Sequence, residues 1–72
     1  MNNPSINDDI RWLLDAKNKL VGINLRIGEM VPDNPERDDS MWMAHISSAQ
    51  AIRGCEQTVR YMRAAIKQAM GE

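Results

Sequence analysis

From Ser40 to Gly71 the chain runs without a proline and with one internal glycine, Gly54. Within that stretch Met41, Ala44, Ser48, Ile52, Cys55, Val59, Met62, Ile66 and Ala69 follow one another by steps of three and four. That spacing places them on one side of an α-helix. Arg53, Arg60, Arg63 and Lys67 point away from the stripe. A long helix with an apolar face and a basic face is therefore the frame into which the rest of the chain has to fit.

The preceding segment reads as a second helix over about residues 6–30. Residues Met1 to Pro4 read as a frayed tail. Ser5 is a suitable N-cap, and Asp8 and Asp9 complement the positive end of the helix dipole. Ile6, Ile10, Leu13, Leu20, Ile23, Ile27 and Met30 keep the helical rhythm, and Leu14, Val21 and Leu25 widen the stripe. The apolar arc covers more than half of the wheel, against the ~100° that one neighbouring helix covers. Lys17 and Asn24 interrupt it near its middle. Two readings are open for this pair. In one, Lys17 extends its amine outward along the apolar surface while Asn24 sets the register between helices. In the other, both face a ligand pocket between subunits. Gly22 and Gly28 each cost about 1 kcal/mol relative to alanine in a helix, which points to close approach of another backbone or to a break near Gly28.

Residues 31–39, VPDNPERDD, form the connector. Pro32 disfavours helical geometry at Val31, and Asn34 and Pro35 add turn chemistry. So short a link folds the helices back as an antiparallel αα-hairpin. Asp39 or Ser40 caps the second helix, over about residues 40–70, and Gly71 closes it. The helices differ in length, ~37 Å against ~46 Å at 1.5 Å per residue. The end of the second, with Met62, Ile66, Ala69 and Met70, is expected to overhang the first. Trp42, Ile46 and Ala49 make a separate apolar patch on the basic side. The fold expected is all-α, one two-helix hairpin domain that assembles as a homo-oligomer, with Trp12, Trp42, Ile46, Met62, Ile66 and Met70 at contacts between subunits.

Composition narrows the chemistry. In 72 residues there is one cysteine, Cys55, and one histidine, His45, so an intrachain disulfide is excluded and most zinc arrangements are too. Neither a metal nor a cofactor is expected. Cys55 lies on the apolar stripe and reads as a buried, inert thiol rather than a reactive one. His45 sits at the stripe's edge and reads as an interface residue rather than a general base. With no glycine-rich phosphate loop and no nucleophile beside a base, no catalytic residues are expected and the protein reads as a non-enzyme. The net charge of −1 argues against a general nucleic-acid binder. Both helices are also too long for a helix-turn-helix. No apolar run approaches the ~18 residues of a membrane span, and the first residues lack the regions of a secretory signal. These readings set the expectation of a cytoplasmic protein of bacterial or phage origin.

The basic side of the second helix is the most informative feature for function. Arg53, Arg60 and Lys67 recur every seven residues, with Arg63 beside them. One reading is a solvated face in which Glu56 pairs with Arg60 at i,i+4. The other is a site where guanidinium forks hold phosphate or an acidic partner, with Trp12, Trp42 and Tyr61 as stacking surfaces.

The pattern resembles the phage-encoded helical-hairpin proteins that sequester cyclic-nucleotide immune signals, the anti-CBASS and anti-Thoeris sponges. The residues that carry the resemblance are Lys19-Leu20-Val21-Gly22 with Leu25, Trp42-Met43-Ala44, and Gly54 with Arg60. It spans roughly residues 15–65. The chain departs from the family in having Ile52-Arg53 where polar glutamines precede the glycine, in a Trp-to-Gly spacing shifted by about one residue, and in offering only Trp12 as the aromatic residue ahead of the lysine. The resemblance implies a helical oligomer that holds a cyclic nucleotide without a chemical step, with Lys19 on a ligand phosphate and arginines of the second helix assisting. Lys17, Lys19, Arg53, Arg60, Arg63 and Lys67 are thus the candidate ligand-binding residues. The rival expectation is a small inhibitor or adaptor that blocks a host defence or regulatory complex through the patch around Trp42.

Overall fold

The computed structural model describes residues 5–70 and consists of two helices, α1 (Ile6–Met30) and α2 (Ser40–Ala69), packed against each other. The expected tail at Met1 to Pro4 and the closing Gly71 lie outside the described residues.

Each helix starts on a side-chain cap. The Ser5 hydroxyl accepts from the Asp8 N–H at 3.1 Å, and Asp39, rather than Ser40, accepts from the Trp42 N–H at 2.9 Å. Both satisfy a donor that the first turn leaves without a partner. At the far end of α1, extended backbone at Val31 follows from Pro32, and the Val31 N–H closes on the Gly28 carbonyl at 3.3 Å. The connector tightens into a turn in which the Asp39 N–H donates to the Glu36 carbonyl at 3.0 Å.

The two helices meet along seams that repeat every seven residues. On α1 the inward residues are Ile10, Leu13, Lys17, Leu20, Asn24 and Ile27; on α2 they are Met41, His45, Ser48, Ile52, Cys55, Val59, Met62 and Ile66. All are buried or half-buried. Alternating steps of three and four are the geometry of an antiparallel coiled coil. The seam narrows the stripe expected from hydropathy, because Ile23 and Met30 of α1 turn outward. Lys17 and Asn24, which interrupt the arc near its middle, keep inward positions, and Asn24 sits between the helices as its register reading requires. On α2, His45 takes the seam position expected of Ala44.

Asn24 accounts for its own place in the seam. Its amide donates to the Ser48 hydroxyl at 2.8 Å and to the His45 carbonyl at 3.0 Å, with His45 Nδ1 at 3.3 Å. A polar side chain so matched costs little to bury and opposes a slip of one helix along the other. Gly28 leaves room for the same cluster, because a Cβ there would lie 3.1 Å from His45 Cε1. Lys17 bridges the helices further along, its amine 3.5 Å from Glu56 Oε2.

These cross-links set Asn24 level with Ser48 and Lys17 level with Glu56, so Ile6 falls level with about Ile66. The overhang expected of α2 is therefore confined to its last turn. Met62 and Ile66 are half-buried, while Met70 is 76% exposed.

The hairpin is long and thin, 52 × 26 × 16 Å, with a radius of gyration of 16.5 Å against about 11 Å for a compact domain of this length. Among the described residues only Ile10 and Val59 are buried hydrophobics. The accessible surface, 5937 Å², exceeds the roughly 4,500 Å² of a compact monomer of this mass.

A cationic groove across the two helices

Helical geometry gives the hairpin two flat sides. On one lie Leu14, Val21 and Leu25 of α1 with Trp42, Ile46, Ala49, Arg53, Glu56, Arg60, Arg63 and Lys67 of α2. On the other lie Trp12, Ala16, Lys19, Ile23, Arg26 and Met30 of α1 with Ala44, Ala51, Gly54, Thr58, Tyr61 and Ala65 of α2.

The first side holds a groove of about 310 Å³ lined by Leu14, Lys17, Glu56, Val59, Arg60 and Arg63. Leu14 and Val59 form an apolar floor. Around it stand three cations, with a single carboxylate, Glu56. Glu56 faces Lys17 across the hairpin, which overturns the local Glu56–Arg60 pairing expected from sequence; no ion pair to Arg60 occurs among the described residues. With Glu56 engaged by Lys17, the two guanidinium groups are left to face the groove mouth. Guanidinium forks match the oxygens of phosphate or carboxylate. The groove can bind and orient an anion.

Three of the six candidate ligand residues, Lys17, Arg60 and Arg63, thus come together. Lys19 does not join them. It lies on the opposite side, paired with Asp15 at 3.1 Å and well exposed. Arg53 and Lys67 are exposed on the groove side but do not line the groove. Among the candidate contact residues, Trp12 is 70% exposed. Trp42 is half-buried, its ring centroid 6.0 Å from that of His45 at a 33° tilt, and Ile46 is half-buried beside it. Leu14, Glu56 and Val59 complete the site and are not among the candidates read from the sequence. The seven-residue step from Ile10 through Lys17 to Asn24 was the signal that could have turned Lys17 inward, toward α2.

Cys55 is half-buried within the seam. Among the described residues no group of three His, Cys, Asp or Glu side chains is placed to hold a metal ion, and no helix is long and apolar enough to cross a membrane. No protein-family model, curated protein or solved structure gives a significant match to the chain.

Proposed function

We propose that this chain is a non-enzymatic binding protein that assembles from several hairpins and sequesters a small phosphate-bearing ligand, a cyclic nucleotide of the kind used as an immune signal. The observation that carries the reading is the convergence of Lys17, Arg60 and Arg63 on one groove with an apolar floor. Cations supply the grip on phosphate, and Leu14 and Val59 offer a surface to a base or sugar. A volume of about 310 Å³ lies at the small end of the ~300–1,000 Å³ range of ligand pockets, so it suits one nucleotide moiety rather than a large substrate. Assembly is supported by the thin core and the surplus of exposed surface. Sequestration needs no reaction: each occupied site lowers the free ligand below what its receptor requires.

A second reading, a protein inhibitor or adaptor, draws on the groove side near the connector, where Leu25 is 64% exposed beside Trp42 and Ile46. In that case Trp42→Ala stays folded and loses a protein partner. The first reading is tested by thermal unfolding with a panel of cyclic di- and trinucleotides. A rise in Tm that disappears in Arg60→Ala and Lys17→Ala supports it. Absence of a rise with every member of the panel refutes it.

A further inference from the structure

We infer that a second copy of the chain docks on the side of the hairpin opposite the cationic groove, in an antiparallel twofold arrangement with α2 against α2 near Gly54. This builds on the assembly proposed above and specifies its face and direction.

The face is apolar where it counts. Trp12 is 70%, Tyr61 65%, Met30 65% and Ile23 37% exposed, and all four belong to this side. The α2 positions between Ala44 and Gln68 that turn to this side (Ala44, Ser47, Ala51, Gly54, Thr58, Tyr61, Ala65 and Gln68) carry no charge. This side's own cations are two, Lys19, which Asp15 already neutralises, and Arg26; the groove side presents Arg53, Arg60, Arg63 and Lys67, four that would have to be desolvated to be covered. The hairpin's flat face measures 52 by 26 Å, more than the ~800 Å² that each partner gives to a standard interface.

Gly54 supplies a separate argument. A Cβ there would meet nothing within 4 Å, so nothing inside the hairpin accounts for a glycine in the middle of α2. Its cost of about 1 kcal/mol relative to alanine is offset if another helix comes close at that point.

Charge sets the direction. On the docking side α1 carries Asp9 toward the open end of the hairpin and Arg26 toward the connector, with Lys19 paired to Asp15 between them. A parallel dimer, which lays α1 over the partner's α2, sets Asp9 and Arg26 against uncharged α2 positions. An antiparallel one, centred near Asn18 on α1, brings Trp12 over the partner's Ile23 and Asp9 toward the partner's Arg26. The groove sides then face outward, open to ligand or to further subunits.

The test combines solution mass with a short bismaleimide cross-linker, using full-length chains in which Cys55→Ser removes the native thiol. The expected results are a mass of two chains or an even multiple, efficient cross-linking to dimer through Gly54→Cys, and a fall to the monomer mass in Trp12→Glu with helicity retained. A wild-type monomer would overturn both this inference and the assembly proposed above. An oligomer that cross-links through Ala49→Cys on the groove side, and not through Gly54→Cys, would overturn this inference alone.

Discussion

Asn24 of α1 and Ser48 of α2 are joined by a 2.8 Å hydrogen bond in the middle of an otherwise largely apolar seam. The same amide holds the His45 carbonyl, so one side chain ties two turns of the facing helix. Shifting α2 by one heptad would oppose Asn24 with Ile52 and Cys55, which offer neither the hydroxyl nor the ring nitrogen that Ser48 and His45 supply.

Asn24→Ala is expected to destabilise the protein by about 1–3 kcal/mol, the cost of leaving half-buried polar groups without partners. Asn24→Leu is expected to recover much of that stability while relaxing the register. Urea unfolding gives the first quantity, and line broadening in NMR spectra of the leucine variant gives the second.

The helices themselves were legible in the sequence because their signals are local: Ser5 and Asp39 as caps, Pro32 as a stop, and three-four spacing between. The inward face of α1 was legible in part: Ile10, Leu13, Leu20 and Ile27 lie on the stripe, and Asn24 is open to a register role. Hydropathy also put Ile23 and Met30 on that face, and the partners that make Asn24 acceptable inside lie on the other helix. Glu56 shows the same limit. Its local neighbour Arg60 suggested an i,i+4 pair, whereas its partner Lys17 is distant in sequence and close only after the hairpin forms. The groove follows from that pairing, so only its individual cations could be named beforehand.

Glycine substitutions should separate the two sides of α1. At Gly22 the nearest atom to an added Cβ is Arg26 Nη1 at 3.9 Å, the free end of a flexible side chain. Gly22→Ala should therefore stabilise the protein by up to about 1 kcal/mol. At Gly28 the added methyl would press on the His45 ring at 3.1 Å, and that ring belongs to the Asn24 cluster. Gly28→Ala should gain nothing or lower the Tm. Parallel thermal melts decide both.

Among the described residues, Asp8 is the carboxylate whose titration is displaced. Hydrogen bonding from Ser5, through its hydroxyl and then its backbone, together with the Arg11 charge, holds its carboxyl below the ordinary 3.8. A folded pKa below the unfolded one adds stability that is complete above the ordinary value and is lost as pH falls through the lowered one. Ser5→Ala should move the Asp8 carboxyl back toward 3.8 and flatten the acid limb of the stability curve in that range. An NMR titration of the side-chain carboxyl reads this directly.

Glu56 competes with any anion for Lys17. Glu56→Gln should strengthen binding of a phosphate-bearing ligand roughly threefold, as expected for release of an exposed ion pair worth up to about 1 kcal/mol. Its salt dependence should steepen because one more cation is free to act. Isothermal titration at two ionic strengths checks both, and unchanged affinity would remove Lys17 from the site.

The central claim is that an assembly of these hairpins holds an anionic nucleotide without transforming it. Native mass spectrometry of the protein purified from cells producing a cyclic-nucleotide signal tests this most directly, since it reports stoichiometry and bound mass together. The expected result is an even-numbered oligomer carrying intact cyclic nucleotide that is lost in Arg60→Ala. A bare monomer, or an oligomer of unchanged ligand content when Arg60 is removed, would contradict it.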